Sequence, residues 1–224
     1  MLHFAGGNRY SYQFITPYLK DFEVIPLELP GRGKRMGEML LTNYQNAVND
    51  YVEQIKSLLG TSSKYILYGH SMGATLGVLI TSELENAGLP PSALIVSGNP
   101  GPGAKTSKIE RYKMPHNQFV DELKKLGGVP DEFFEHQELF EFFEPVMRAD
   151  FEILEKEEII LTKPVNIPIY AMMGSQEKEV DLLDNWTSLS KAKVSQKIYE
   201  GDHFFIKNYA QEIATEFANI AMSI

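Results

Sequence analysis

Hydrophobic positions along the chain follow two patterns, one typical of buried strands and one typical of helices. Four segments of strand length lie at residues 65–68, 93–96, 167–172 and 194–199. The first three are uninterrupted apolar runs, which are typical of parallel strands covered on both faces. A further short strand is predicted at 23–27, near an edge of the sheet because Pro26 has no N–H to donate.

Three longer segments have the pattern of helices. Residues 43–59 carry apolar side chains three and four positions apart, whereas residues 72–87 are apolar on most faces and stop before Gly88. Residues 205–221 are predicted to form a closing helix. Because strands and helices alternate without a repeat or a linker, we expect one α/β domain over residues 1–224.

The segment of residues 101–163, called the helical insertion below, interrupts this alternation. It is acidic, rich in phenylalanine, and has helical spacing at Phe119, Leu123 and Leu126. An insertion between strands that carry functional loops is typical of a lid over a site. We expect a helical lid, with the alternative that its phenylalanines only form its own core.

Composition excludes several classes of protein. The 224 residues include no cysteine, which excludes disulfides and cysteine catalysis. The net charge is −9 and no basic face suits nucleic acid; Arg32, Lys34 and Arg35 are interpreted as a solvated loop rather than a docking patch. No metal-ligand spacing, membrane span or signal peptide is recognisable, so we expect a cytoplasmic protein without a metal site.

The motif Gly69-His70-Ser71-Met72-Gly73 fits the pattern Gly-x-Ser-x-Gly of a nucleophile elbow. In that turn the serine adopts a strained backbone conformation, and the two glycines leave room where a strand and a helix cross. A predicted strand precedes the motif and a predicted helix follows it, as an elbow requires. Ser71 is therefore the predicted nucleophile.

A serine hydroxyl needs a base to lose its proton at neutral pH. His203 lies between the predicted last strand and the closing helix, where α/β hydrolases place their base. The other four histidines are interpreted as structural or surface residues: His3, His70, His116 and His136. For His70, we expect the elbow to turn the side chain away from the nucleophile.

The acid that orients the base should follow the strand predicted at 167–172, because the chain order in this fold is serine, acid, histidine. Glu177 lies in that place and is the predicted acid. Three nearby carboxylates remain alternatives: Glu179, Asp181 and Asp184. Asp202 adjoins His203 too closely to reach its Nδ1 and is interpreted as a turn residue.

Acyl transfer also needs two fixed N–H donors for the oxyanion. The N–H of Met72, directly after the nucleophile, is one predicted donor. The glycine-rich loop Phe4-Ala5-Gly6-Gly7-Asn8 should supply the other from Ala5. A dinucleotide-binding turn is the alternative for this loop, but its spacing does not give Gly-x-Gly-x-x-Gly.

Around these residues the chain resembles the type II thioesterases that accompany non-ribosomal peptide and polyketide synthetases. Besides the elbow, six motifs carry the resemblance in shared order: Phe4-Ala5-Gly6-Gly7, Leu29-Pro30-Gly31-Arg32, Val96-Ser97-Gly98, Lys125-Leu126-Gly127-Gly128-Val129-Pro130, Arg148-Ala149-Asp150-Phe151 and Gly201-Asp202-His203-Phe204-Phe205. The family usually has aspartate at the position of Glu177.

The resemblance implies an α/β-hydrolase fold with a mostly parallel central sheet flanked by helices and a helical lid. It implies a discrete, monomeric enzyme that removes misloaded or stalled acyl groups from the phosphopantetheine arm of carrier domains, with no cofactor of its own. Ser71, Glu177 and His203 would then be nucleophile, acid and base, with Ala5 and Met72 as oxyanion donors.

Three other functions remain open at this point. A small-molecule esterase or lipase would share every catalytic residue. A thioesterase that releases fatty acids or finished products would differ only in its acyl group. A non-catalytic module that binds carrier domains belongs to another class, and the intact serine, histidine and acid argue against it.

Overall fold

A parallel sheet forms the centre of the protein. The structure is a computed structural model that describes residues 1–59, 64–104, 109–127 and 131–224. Within these residues, four strands lie side by side in chain order: β1 (Ile66–His70), β2 (Ala93–Ser97), β3 (Ile169–Gly174) and β4 (Val194–Tyr199). All three pairings are parallel. The four predicted strands are thus confirmed, with ends within two residues of the prediction.

The strand predicted at 23–27 is wrong except at its last residue. Leu27 forms a single parallel bridge with Leu2, and Leu2 forms another with Gly69 of β1. Pro26 has no N–H, so the segment cannot offer the continuous row of donors that a longer ladder requires. The bridge to Gly69 nevertheless places the residues after Leu2 beside the residues after β1, at the carboxyl edge of the sheet.

Helices cover both faces of the sheet, and side chains alternate between them as the pleat requires. Leu94 and Val96 of β2 pack in one cluster with helices α1 (Tyr44–Leu58) and α2 (Met72–Asn86). Ala93 and Ile95 point to the opposite cluster, which contains the last helices of the chain. Burial on both faces explains why these strands appear as uninterrupted apolar runs.

The helix predicted at 205–221 is divided in two. It consists of α6 (Phe205–Asn208) and α7 (Ala210–Ser223), separated by Tyr209 at φ −108° and ψ 24°. The Tyr209 ring packs on Tyr199 at the end of β4, with 4.9 Å between ring centroids. This tertiary contact overrides the helical pattern at one residue. None of the described helices is long and apolar enough to cross a membrane.

The helical insertion contains α3 (His116–Leu126), α4 (Asp131–Glu135) and α5 (Gln137–Glu155) between β2 and β3. Phe119 and Leu123 of α3 are buried against α5, in a cluster separate from those on the sheet. Except for the exposed Phe142, the described phenylalanines of the insertion therefore do form a core of their own. The motif residues 128–130 lie outside the described part of the chain.

Candidate active site

The backbone of Ser71 is strained. Ser71 has φ 55° and ψ −113°, and among the described residues it is the only one besides glycine with positive φ. It lies directly between β1 and α2, where a Cβ added to Gly69 would lie 2.1 Å from the carbonyl oxygen of Gly73. The sequence pattern thus has the geometry of a nucleophile elbow, since the strand and the helix approach too closely for any side chain at Gly69.

An acid and a base meet at the carboxyl ends of β3 and β4. His203 Nδ1–H donates to Glu177 Oε2 at 2.6 Å, and the Gly174 N–H donates to Glu177 Oε1 at 2.7 Å. The Glu177 side chain is 6% exposed and that of His203 is 21% exposed. Both carboxylate oxygens thus accept a hydrogen bond. Because Nδ1 donates to Glu177, the proton of the neutral imidazole lies on Nδ1, and Nε2 can accept a proton.

Backbone contacts join the acid loop to the base loop. The Ser175 N–H donates to Tyr199 O at 2.7 Å and the Gln176 N–H donates to Gly201 O at 2.9 Å. A Cβ on Gly174 would lie 2.3 Å from Asp202 O, so only glycine permits this approach. The loops that carry Glu177 and His203 are therefore packed against each other at the end of the sheet.

The alternative acids have other positions. Asp184 Oδ1 accepts from Thr187 Oγ1, and Asp202 Oδ1 accepts from the Phe204 N–H as a turn residue does. Asp181 lies in the first turn of the 3-10 helix Val180–Leu189, and Glu179 lines the cavity described below. Glu177 is the carboxylate that contacts His203.

His70 is fully buried and does not line the cavity on which Ser71 lies, as expected of a side chain turned away from the nucleophile. The His70 ring lies beside that of His203, with 4.9 Å between centroids, and its Nδ1 forms a hydrogen bond of 2.8 Å with Ser97 Oγ. Burial, followed by the charge of His203, lowers the pKa of His70 well below its usual range. His70 is therefore a neutral, buried neighbour of the base, which fits the predicted structural role.

The remaining histidines lie elsewhere. His3 donates from Nδ1 to Phe4 O at 2.9 Å and accepts from the Leu29 N–H at Nε2, and burial lowers its pKa to about 4. His116 contacts Glu144 on the surface of the helical insertion, and His136 is exposed.

Residues 4–7 form a tight turn, called the 4–7 turn below. The Gly7 N–H donates to Phe4 O at 2.8 Å, and Gly6 has φ +75°. Because Ala5 does not share the positive φ, the turn is of type II, in which glycine is favoured at the third position. Neither the Ala5 N–H nor the Met72 N–H has an acceptor within the described residues. Both donors are thus available to a ligand.

A cavity of about 850 Å³ lies at the carboxyl edge of the sheet. Ser71, Glu177, His203 and Ala5 lie on its wall, opposite apolar side chains of the helical insertion. Those side chains are Leu123, Leu126, Phe133, Phe143, Met147 and Phe151. No hydrogen bond joins Ser71 Oγ to His203 in the described chain; such contacts are often long until substrate binds.

One buried feature of the site was missed in the sequence. Arg32, interpreted there as part of a solvated loop, is only 3% exposed and forms two hydrogen bonds with Asp150 of α5. Asp150 also accepts the Gly6 N–H at 2.8 Å. The two residues are 118 positions apart, so no local pattern connects them. Their presence in two of the family motifs was the one available signal.

Known proteins match the chain over nearly its whole length. The thioesterase domain family matches residues 1–220. Gramicidin S biosynthesis protein GrsT of Aneurinibacillus migulanus is 31% identical over 205 residues, which are 90% of this chain and 79% of the relative. The probable anguibactin biosynthesis thioesterase AngT of Vibrio anguillarum is 27% identical over 217 residues, 93% of this chain and 85% of the relative.

A solved structure supports the same relationship. ClbQ from the colibactin NRPS/PKS pathway superposes with a TM-score of 0.89 at 26% identity, covering 99% of this chain and 95% of ClbQ. The parallel sheet with helices on both faces is thus the α/β-hydrolase fold that the sequence predicts. Fold, strained serine and full-length match together show that this chain belongs to the thioesterase domain family.

Proposed function

We propose that this thioesterase removes misloaded or stalled acyl groups from the phosphopantetheine arm of carrier domains in non-ribosomal peptide or polyketide synthesis. The observation that carries the proposal is the Glu177–His203 hydrogen bond, which faces the same cavity as the strained Ser71. The similar proteins support it: ClbQ is from the colibactin NRPS/PKS pathway, AngT is a probable anguibactin biosynthesis thioesterase, and GrsT is a gramicidin S biosynthesis protein.

The first half of the reaction forms an acyl-enzyme. Ser71 Oγ attacks the thioester carbonyl while His203 Nε2 takes its proton, and Glu177 stabilises the resulting imidazolium through Nδ1. The N–H groups of Ala5 and Met72 donate to the oxyanion of the tetrahedral intermediate. Collapse of the intermediate breaks the C–S bond, and His203 returns the proton to the departing thiol.

The second half releases the acid. His203 takes a proton from water, whose oxygen attacks the acyl carbonyl of Ser71, and the same two N–H groups hold the second oxyanion. Collapse returns the proton to Ser71 Oγ. These steps draw on side chains and backbone groups of one chain, so the proposed reaction needs neither a cofactor nor a second copy. The proposed enzyme is a monomer that acts in the cytoplasm, together with its carriers.

The cavity can hold an apolar acyl group beside Ser71. Apolar side chains of the helical insertion face Ser71 across the cavity, so an acyl group is surrounded on one side by the sheet and on the other by α3 and α5. We assign the insertion, on this basis, the role of a lid that excludes water from the acyl group.

The test is hydrolysis of acetyl- and aminoacyl-carrier domains, followed as loss of the acyl mass from the intact carrier. Wild type should remove the group, Ser71→Ala should be slower by more than about 10³-fold, and Glu177→Gln by about 10²–10⁴-fold. Asp181→Asn, which alters a neighbouring carboxylate without a contact to His203, is the matched control and should be unaffected.

Other outcomes identify the alternatives. Equal, slow deacylation by wild type and Ser71→Ala would end the thioesterase proposal. Hydrolysis of free esters without hydrolysis of acyl-carriers would indicate an esterase, and a strong preference for long acyl chains would indicate a fatty-acid-releasing thioesterase. A protein that binds carriers but is not labelled at Ser71 by a fluorophosphonate would be a binding module.

A further inference from the structure

A buried ion pair connects the helical insertion to the 4–7 turn. Arg32 Nη1 and Nη2 donate to the two carboxylate oxygens of Asp150 at 2.6 Å and 2.8 Å, and the side chains are 2% and 0% exposed. Arg32 lies five residues after Leu27, which forms the bridge with Leu2, whereas Asp150 lies on α5. The pair thus joins two parts of the chain that meet only in the folded protein.

Stability alone is a weak explanation for this pair. Removing both charges from water is costly, and apolar residues of similar size often stabilise a protein as well as a buried ion pair does. Arg32 Nε, in addition, has no hydrogen-bond partner within the described residues. A network that leaves a buried donor unpaired is not optimal for stability. The pair is therefore better explained by the position in which it holds its neighbours.

Both members of the pair hold the 4–7 turn. Asp150 Oδ2 accepts the Gly6 N–H at 2.8 Å, and Arg32 Nη1 donates to Gly7 O at 3.3 Å. Met147, one turn before Asp150 on α5, closes the same side, because a Cβ on Gly6 would lie 2.8 Å from Met147 Cγ. The turn is therefore fixed in rotation as well as in position.

These contacts determine which N–H faces the cavity. Asp150 occupies the Gly6 N–H, and Phe4 O occupies the Gly7 N–H. Of the three N–H groups of residues 5–7, the one of Ala5 thus has no acceptor within the described residues and can bind a ligand. An oxyanion donor contributes fully only at 2.7–3.1 Å from the developing charge, so a small rotation of the turn would remove most of its effect.

We propose that Arg32 and Asp150 are positioning residues that hold the Ala5 N–H toward the oxyanion, and that through Asp150 the placement of α5 controls the oxyanion hole. The inference rests on the proposed function, and specifically on Ala5 as an oxyanion donor. Its consequence is that the helix whose Met147 and Phe151 line the acyl cavity also sets the strength of catalysis.

The experiment compares Asp150→Asn with a matched pair elsewhere in the chain. Arg35 forms the same type of bidentate bond with Asp50, at 2.6 Å and 2.8 Å, but touches neither the 4–7 turn nor the cavity. Asp150→Asn should lower kcat on an acetyl-carrier by about 10–100-fold and change KM less than about threefold. Asp50→Asn should leave both constants unchanged once the folded fraction is taken into account.

A second variant separates positioning from folding. The double variant Arg32→Met with Asp150→Leu removes both charges together, so it avoids an unpaired buried charge and should remain folded. Its kcat should fall as much as that of Asp150→Asn, because the turn has lost its tether. Arg32→Lys, which keeps the charge but not the bidentate geometry, should retain more activity than the double variant.

Inhibitor binding supplies a readout that a merely structural role would not change. An acyl-pantetheine trifluoromethyl ketone, which adds Ser71 Oγ to its carbonyl and presents an oxyanion, should bind the variants more weakly by the same factor as kcat/KM falls. The corresponding amide, which presents no oxyanion, should bind them as it binds wild type.

Two results would overturn the inference. The first is a folded Asp150→Asn enzyme with the kcat of Asp50→Asn. The second is loss of amide and ketone binding together, which would indicate a deformed cavity. Failure of the proposed function looks different, since wild type would then leave acyl-carriers intact, or removal of the Ala5 N–H would leave kcat unchanged.

Discussion

At the scale of single residues, Glu177, the proposed acid, shows how a longer side chain is accommodated. Glu177 has one methylene more than the aspartate usual in the family, and it turns back onto its own loop. Its Oε1 accepts the Gly174 N–H while its Oε2 contacts His203. One oxygen thus anchors the carboxylate and the other orients the base, so the additional methylene does not loosen the pair.

The oxyanion assignment can be tested at a single atom. Ala5 occupies the second position of the type II 4–7 turn, where proline is favoured because its φ is already suitable. Ala5→Pro therefore removes the N–H and is compatible with the turn. We expect kcat for acyl-carrier hydrolysis to fall by about 10²–10³-fold, the usual effect of losing one oxyanion donor.

The control for this change is the integrity of the enzyme. Thermal unfolding of Ala5→Pro should resemble that of wild type, and carrier binding should persist. Wild-type kcat in a folded Ala5→Pro enzyme would show that the second donor lies elsewhere than at Ala5.

At the scale of elements, the site depends on how closely β1 and α2 cross. A Cβ on Gly69 would meet the backbone of Gly73 at 2.1 Å, and backbone cannot move aside as a flexible side chain can. We expect Gly69→Ala to shift the elbow and reduce labelling of Ser71 by a fluorophosphonate at least tenfold, since misplacement by about 1 Å can cost about 10²-fold.

Gly77, within the same helix, is the matched control. A Cβ there would meet only side-chain atoms, the nearest being Leu94 Cδ1 at 3.2 Å. Alanine is also favoured over glycine inside a helix by about 1 kcal/mol. Gly77→Ala should therefore be labelled at the wild-type rate, and equal labelling of both variants would contradict the argument.

The elements that could be predicted are those whose signal is local. The strand ends of β2 and β4, the helices α1 and α2, and the elbow between strand and helix follow from spacing within a few residues. Tyr209 escaped prediction because its contact with Tyr199 overrides a helical pattern. Arg32 and Asp150 escaped because a charged residue in a polar segment looks the same whether it is solvated or buried against a distant partner.

At the scale of the whole molecule, two buried histidines make the folded state sensitive to acid. Burial lowers the pKa of His3 from 6.5 to about 4, and it lowers that of His70 well below the usual range. His3 connects the 4–7 turn to the segment around Leu29 through both ring nitrogens. Protonation of Nε2 would turn an acceptor into a donor facing the Leu29 N–H.

The sign of the pH effect follows from these pKa values. Between pH 6.5 and 4 the unfolded chain binds a proton at His3 that the folded chain does not, so the free energy of unfolding falls as pH falls. His3 alone contributes about 3 kcal/mol across that window, and His70 acts in the same direction. Urea unfolding at several pH values should show this loss, and His3→Gln should make it shallower.

His136→Gln, at an exposed histidine, is the control and should keep the wild-type slope. The net charge of −9 changes with pH almost equally in all three proteins, so its effect cancels in the comparison. Parallel curves for wild type and His3→Gln would show that His3 is not the group that resists protonation in the folded state.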